Sequence, residues 1–217
     1  MGKVALNFNR IVSANLNLFA SNADICSLCE TAIAHDLSSV LIFPTSVPLC
    51  ANLLEHSNLK LDAVIAYPHG RSTLESKIAE INQVAKFGAD AVTVFINYSA
   101  LRSGEKNITA NEIFALATAT QKRQLQLTIA LEGSMLEPKH LKFAYNASIE
   151  VKADAFLSSY GASFSETCNQ INQISSNENT PIKLQAYLRK LNPKMIQKLN
   201  SMGVDIIVSD GDLNKFK

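Results

Sequence analysis

The sequence lacks the features that mark several large classes of protein. Its 20 lysines and arginines against 19 aspartates and glutamates leave a formal charge of +1, so no basic surplus draws the chain onto nucleic acid or anionic lipid. No apolar run approaches the roughly 20 residues that span a bilayer, and the N-terminus lacks the apolar core of a signal peptide. Four cysteines are too few for a disulfide framework in a chain of this size. We therefore expect a cytoplasmic protein with no nucleic-acid or membrane partner.

Glycine is also scarce. The eight glycines include no G-x-G-x-x-G loop of the kind that holds a dinucleotide phosphate after a strand. This argues against a doubly wound open sheet, the main alternative fold. Apolar residues make up 47% of the chain and charged residues 18%, which indicates an ordered core. With no linker or low-complexity tract, residues 1–217 are expected to form a single domain.

Short apolar runs alternate with longer amphipathic ones along the chain. The short runs are rich in Val, Ile, Leu and Phe, as in parallel strands that are covered on both faces. These strand candidates are Val4–Asn7, Ser39–Phe43, Ala63–Tyr67, Ala91–Ile96, Leu125–Leu131, Ala155–Leu157, Ile182–Leu184 and Ile206–Ser209.

The stretches between the strand candidates carry helix signals. Ser72-Thr73-Leu74-Glu75 has the pattern of a capping box, and Asn192-Pro193 supplies an N-cap followed by a first-turn proline. Eight strands at a spacing of about 25 residues predict an α/β fold, a (β/α)₈ barrel. Because the chain ends soon after Asp212, the last helix is expected to be shortened or missing.

Four segments carry a family resemblance. They are Tyr67-Pro68-His69-Gly70 after the third strand candidate, the run GADAVTVFINYSALRSG from Gly88 to Gly104, Leu131-Glu132-Gly133, and Ala153-Asp154. Together they resemble the deoxyribose-phosphate aldolase family, from about Ile11 to Gly211. The resemblance implies a (β/α)₈ barrel and a Schiff-base aldolase without cofactor or metal. The family reaction cleaves 2-deoxy-D-ribose 5-phosphate to acetaldehyde and glyceraldehyde 3-phosphate in deoxyribonucleoside catabolism.

The catalytic positions of that family carry neutral residues in this chain. The imine-forming lysine of strand six corresponds to Leu157, and the second lysine, on strand seven, corresponds to Gln185. The strand-four aspartate corresponds to Thr93, and the lysine that precedes the strand-five acid to Thr128. Since Leu157 has no side-chain nitrogen, it cannot form an imine with an aldehyde. The resemblance therefore implies a divergent member without the family activity.

The phosphate-binding end of the family site is altered as well. The Gly-Gly turn after strand seven corresponds to Leu188-Arg189, and the segment after strand eight reads Ser209-Asp210-Gly211. Asp210 would repel a phosphate dianion unless Arg189 or Lys190 offsets its charge. We expect Thr93, Leu157 and Gln185 to share a pocket with residues that line it. The expected lining residues are Asn97, Thr128, Glu132, Ser159, Ser209, Asp210 and Arg189.

Two residues are candidates for replacement chemistry. Lys183 lies two residues before Gln185, so alternation directs both side chains into the barrel. It could be a relocated imine lysine, or a strand-start lysine that reaches the opposite mouth or pairs with an interior carboxylate. Glu132 could act as a general base or simply line the pocket. Cys26 and Cys29 have C-x-x-C spacing on a predicted helix, where core packing is favoured over metal binding.

Three hypotheses on function remain open. The chain could be an active aldolase, a non-catalytic homologue that binds a small molecule or a protein, or a barrel enzyme with altered acid/base chemistry. A phosphorylated sugar is one candidate ligand. Because the family tends to dimerise, a homodimer is expected. Tyr98 and Tyr160, in loops after strands, are candidates to shape or close the pocket.

Overall fold

The chain folds as a closed parallel barrel, seen in a computed structural model that describes residues 7–133, 136–174 and 181–211. Eight strands pair in chain order, and the last pairs with the first. The strands are β1 (Ile11–Asn15), β2 (Ser39–Ile42), β3 (Lys60–Ile65), β4 (Ala91–Phe95), β5 (Gln126–Ala130), β6 (Ala155–Leu157), β7 (Lys183–Tyr187) and β8 (Ile206–Ser209). The predicted (β/α)₈ architecture is confirmed.

Helices connect the strands and cover the outside of the barrel. They are α1 (Asn22–Ala34), α2 (Val47–Leu54), α3 (Leu74–Lys86), α4 (Tyr98–Arg102), α5 (Lys106–Lys122), α6 (Pro138–Glu150), α7 (Phe164–Ile174) and α8 (Pro193–Ser201). None of the helices in the described ranges is long and apolar enough to cross a membrane. The predicted shortening of a helix after β8 concerns residues 212–217, which lie outside the described residues.

Two helix starts illustrate how local sequence sets the boundaries. Asn192 caps α8 as predicted, because its Oδ1 accepts the backbone N–H of Lys194 at 2.9 Å. At α3 the N-cap is Thr73, whose Oγ1 accepts the N–H of Ser76 at 3.3 Å. The cap therefore lies one residue later than the pattern beginning at Ser72 predicts.

The first strand differs from the prediction. It begins at Ile11, whereas the expected run was Val4–Asn7, of which residues 4–6 lie outside the described residues. Ser13 and Asn15 interrupt the apolar character of this segment, yet Ser13 is buried. β3 also begins three residues before its apolar run, at Lys60, because polar residues occupy the start of the strand.

A repeated aspartate ties neighbouring strands together. Asp90, Asp154 and Asp205 each lie directly before an even-numbered strand. Their Oδ2 atoms accept the N–H of Leu61 at 2.9 Å, Leu127 at 2.8 Å and Leu184 at 2.8 Å, each on the preceding odd-numbered strand. The recurring Asp before a strand thus helps to fix the register of two neighbouring strands, because its carboxylate accepts a hydrogen bond from a backbone N–H at the barrel rim.

Candidate functional site

The carboxyl ends of the eight parallel strands meet at one end of the barrel, the C-terminal mouth. Glu132 and Ser159 follow β5 and β6 there and form an antiparallel bridge with each other. Asn97 follows β4, and its Oδ1 caps α4 by accepting the N–H of Ala100 at 3.2 Å. Ser159 is buried, whereas Asn97 and Glu132 are half-buried. The structure therefore brings three of the predicted lining residues to the same mouth.

Five aromatic rings pack together at the C-terminal mouth; this group is called the aromatic cluster below. Its members are Phe43, Tyr67, Phe95, Tyr160 and Tyr187. Tyr160 is central, with ring centroids 4.5 Å from Tyr187, 5.4 Å from Tyr67 and 5.9 Å from Phe95. Phe43 contacts Tyr67 at 5.9 Å. The barrel interior at this end is thus filled with rings that the sequence pattern did not predict as a cluster.

The phenols of the aromatic cluster are held in the neutral form. Burial is the main cause that raises the pKa of Tyr160 and of Tyr187 well above the usual range. The Tyr187 hydroxyl donates a hydrogen bond to Asp210 Oδ2 at 2.9 Å. The cluster therefore presents hydrogen-bond donors and apolar surface, with no phenolate that could act as a base near neutral pH.

Leu157 lies in the middle of this apolar interior. It is fully buried and belongs to the same cluster of side chains as Phe95, Tyr160 and Tyr187. In the sheet it pairs with Ala130 on β5 and with Gln185 on β7. The position expected to match the imine lysine is thus enclosed by hydrocarbon and aromatic groups.

The other residues expected at catalytic positions of the family lie in polar contacts inside the barrel. Thr93 Oγ1 donates to Asp62 Oδ2 at 2.8 Å, and Gln185 Nε2 donates to Thr128 Oγ1 at 3.2 Å. Desolvation by burial raises the pKa of Asp62 to about 7, although the hydrogen bonds from Thr93 oppose this rise. Sequence reasoning missed Asp62; its place two residues before the interior Val64 on β3 was the available signal.

Lys183 lies far from the C-terminal mouth. It is the first residue of β7 and is exposed at the opposite, N-terminal mouth of the barrel. Tyr187, four residues later on the same strand, reaches the aromatic cluster, so about 13 Å of strand separates the two levels at ~3.3 Å per residue. The structure therefore does not bring Lys183 together with Glu132.

The segments after β7 and β8 contact each other at the C-terminal mouth. Ser209 is buried, and its Oγ accepts the N–H of Gly211 at 3.1 Å. A Cβ on Gly211 would lie 2.9 Å from the carbonyl oxygen of Arg189, so the two segments pack closely. Arg189 and Asp210 are exposed. The N–H of Gly211 is thus already engaged by Ser209 and not held open for a phosphate.

A buried ion pair supports the loops of the C-terminal mouth. Lys77 on α3 is fully buried, and its Nζ lies 2.5 Å from Glu112 Oε1 on α5. The same ammonium donates to the carbonyl oxygens of Gly70 at 2.6 Å and Phe95 at 2.8 Å. Glu112 Oε2 accepts the N–H of Asn97 at 3.0 Å. One pair of charges therefore fixes the loop after β3, the end of β4 and the loop after β4.

The close contact between the loops after β3 and β4 depends on the absence of a side chain at Gly70. Its φ is +63°, and a Cβ there would lie 1.9 Å from the carbonyl oxygen of Ile96. Only glycine allows this approach of the two loops.

Two of the four cysteines pack against each other between α1 and α2. Cys29 on α1 and Cys50 on α2 are buried with their Sγ atoms 3.6 Å apart, whereas Cys26 is half-buried. Among the described residues, no three His, Cys, Asp or Glu side chains are grouped in a way that could hold a metal ion.

Comparisons with known proteins agree on one family. The family model described as "DeoC/LacD family aldolase" matches residues 12–185. A deoxyribose-phosphate aldolase of Brevibacillus brevis is 33% identical over 159 residues, which cover 73% of this chain and 71% of that protein. The same enzyme of Treponema denticola is 31% identical over 122 residues, and the match spans only 56% of each protein.

A solved structure shows the same fold. The deoxyribose phosphate aldolase of Aeropyrum pernix, described as a tetramer, superposes with a TM-score of 0.83 at 20% identity. The superposition covers 94% of this chain and 86% of that one.

Proposed function

Because this chain belongs to the DeoC/LacD family of aldolases, we propose that it is a non-catalytic member that binds a small molecule. It does not cleave 2-deoxy-D-ribose 5-phosphate through a Schiff base. The observation that carries this proposal is Leu157, fully buried in apolar surroundings at the position of the imine-forming lysine.

The chemistry requires an amine that this pocket does not supply. An imine forms when a neutral lysine attacks the aldehyde, which requires a lysine of lowered pKa beside the substrate. Burial does lower the pKa of Lys77, but its Nζ is engaged by Glu112 and two carbonyl oxygens between α3 and α5. Lys183 is exposed at the N-terminal mouth. Neither amine is available to an aldehyde at the C-terminal mouth.

The proton-transfer groups and the space for substrate are altered as well. Thr93 and Gln185 are uncharged and already hydrogen-bonded, to Asp62 and Thr128. The rings of Tyr160 and Tyr187, with centroids 4.5 Å apart, occupy the interior above Leu157. A site with this lining supports binding through apolar contacts and tyrosine hydroxyls, and gives acid/base catalysis little support.

Borohydride trapping tests the proposal directly. Acetaldehyde or 2-deoxyribose 5-phosphate with borohydride should add no covalent mass to the unmodified protein, and retro-aldol turnover should be absent. The triple variant Leu157→Lys/Gln185→Lys/Thr93→Asp is the smallest change expected to recover trapping. The single Leu157→Lys variant lacks the second ammonium and should trap less.

Robust turnover by contaminant-free unmodified protein would contradict the proposal. Lys183→Met would then identify or exclude a relocated nucleophile. Trapping by the triple variant alone would show that the scaffold still admits the aldehyde, and that the missing amines account for the inactivity.

We also propose that residues 1–217 act as one cytoplasmic domain that forms a homodimer. The tetrameric assembly of the Aeropyrum pernix enzyme supports self-association in this fold. Ile108 and Phe114 on α5 are 55% and 65% exposed, which offers apolar surface for a contact. Light scattering should give twice the mass of the 23.6 kDa chain, and a monomer at high concentration would contradict the proposal.

A further inference from the structure

The N-terminal mouth of the barrel contains a polar cavity whose inner wall includes Thr128 and Gln185, two of the positions discussed above. Its volume is about 330 Å³, at the lower end of the roughly 300–1,000 Å³ typical of small-molecule sites. The lining includes the first residues of β3, β5 and β7, which are Lys60, Gln126 and Lys183. The cavity therefore lies at the end of the barrel opposite the aromatic cluster.

An incompletely bonded carboxyl group lies on the wall of this cavity. Asp62 is 6% exposed, and only its Oδ2 is engaged, by Thr93. Asp62 Oδ1 is buried and has no hydrogen-bond partner among the described residues. Because a buried polar atom without a partner is costly, this oxygen favours a donor or acceptor from a bound molecule. The neighbouring wall presents Thr128 and Gln185, which are neutral hydrogen-bonding groups.

Positive groups surround the same cavity at its rim. Arg10 donates from Nε to the carbonyl oxygen of Asp205 at 2.6 Å, and Lys60 Nζ donates to Gln126 Oε1 at 2.7 Å. Lys183 is exposed. None of these three cations forms an ion pair with a described residue.

The rim also carries two carboxylates with a structural role. Asp154 and Asp205 line the cavity, but one carboxylate oxygen of each already accepts a hydrogen bond from a backbone N–H on a neighbouring strand. Asp62 brings the carboxyl groups of the lining to three, equal to the cations, but burial raises the pKa of Asp62 to about 7, so this carboxyl does not fully offset the cations near neutral pH. The rim therefore favours an anionic group.

We propose that this cavity binds a small anionic polyol. Its phosphate or carboxylate pairs with Lys183, Lys60 and Arg10 at the rim, and one of its hydroxyls hydrogen-bonds to Asp62 Oδ1. Lys60 and Asp62 are two residues apart on β3, about 7 Å at ~3.3 Å per residue, so a molecule of a few carbons can reach both levels. An inorganic anion would leave Asp62 unbonded, and a neutral polyol would leave the rim cations uncompensated.

Isothermal titration of the full chain with four probes tests the ligand class. Glycerol 3-phosphate and glycerate carry an anion and a hydroxyl, whereas glycerol and inorganic phosphate each carry one of the two features. We expect saturable binding of one of the first two, at least tenfold tighter than of glycerol or phosphate. Which of the two binds more tightly distinguishes a phosphate ester from a carboxylate. Equal affinity for inorganic phosphate, or no saturable binding of either anion, would overturn the proposal.

Matched variants locate the site. Lys183→Met at the exposed rim should weaken binding at least tenfold without affecting folding, whereas Lys139→Met, which changes an exposed lysine on α6, should leave it unchanged. Asp62→Asn should reduce the preference for the polyol over inorganic phosphate. Unchanged binding by Lys183→Met, or an equal loss in Lys139→Met, would overturn the proposal. The result is independent of the borohydride test, which concerns the other mouth.

Discussion

Removing the ammonium of Lys77 should destabilise the protein strongly. Lys77→Met leaves the Glu112 carboxylate without its cation in a side chain that is only 9% exposed. It also removes the donor to the carbonyl oxygens of Gly70 and Phe95. Breaking a buried pair by removing one partner costs about 3–5 kcal/mol. At roughly 2–4 °C per kcal/mol for a domain of this size, the thermal midpoint should fall by about 6–20 °C.

Thermal unfolding and urea unfolding, both followed by far-UV circular dichroism, provide the assay, since the chain contains no tryptophan. The matched control is Lys139→Met. Lys139 pairs with Glu137 at 2.9 Å, a similar separation, but the two side chains are 71% and 64% exposed. Because solvent screens such a pair, the control should unfold at the wild-type midpoint.

A double variant separates the ion pair from general packing. Lys77→Met/Glu112→Met removes both charges, so the combined loss should fall short of the sum of the single losses by about 0.5–3 kcal/mol. A Lys77→Met protein with the same midpoint as Lys139→Met would refute the reasoning, because it would mean that water or relaxation compensates the buried carboxylate.

Two further predictions concern buried side chains. Asp62 has a pKa of about 7 in the fold against an ordinary value of 3.8, so its folded form holds the proton more tightly. The free energy of unfolding of the wild type, relative to that of Asp62→Asn, should therefore fall by up to about 4 kcal/mol as the pH rises from 4 to 8. Paired denaturation curves whose difference does not change with pH would contradict this. Maleimide should modify the half-buried Cys26 and Cys168 in the native protein but spare the buried Cys29 and Cys50, as read by intact mass, with unfolded protein as the fully labelled control.

The barrel could be predicted because most of its strands appear in the local sequence as short apolar runs. Parallel strands covered on both faces must be apolar along their length, and six of the eight predicted runs begin within one residue of their strands. The start of β1 and the start of β3 were not predicted because Ser13, Lys60 and Asp62 interrupt the apolar character of these strands. Lys60 and Asp62 line the barrel lumen at the N-terminal mouth, where a polar group is tolerated if it finds a hydrogen bond or water.

The pairs that shape the two mouths could not be predicted from local pattern. Lys77 and Glu112 are 35 residues apart, and Asp62 and Thr93 are 31 apart. On helices, Lys77 and Glu112 resemble ordinary surface charges, because nothing in the local sequence indicates that both face inward. Their burial follows from how α3 and α5 pack together, which only the closed barrel determines. The family resemblance singles out Leu157 and Gln185 as candidate site residues, but it does not indicate what surrounds them in the barrel.

The two ends of the barrel interior differ in polarity, and this difference supports the proposed loss of catalysis with retention of the scaffold. Towards the C-terminal mouth the interior holds Leu157 and the aromatic cluster, so no buried charge must be compensated there. Towards the N-terminal mouth it holds Asp62, Thr128 and Gln185, next to a rim that carries both cations and carboxylates. The side-chain hydrogen bonds of the Lys77–Glu112 pair and of the strand-tying aspartates go to residues other than Leu157, Gln185 and Thr128. The replacement of the family's lysines by leucine and glutamine that we propose would therefore remove the imine chemistry and leave intact the contacts that close the barrel.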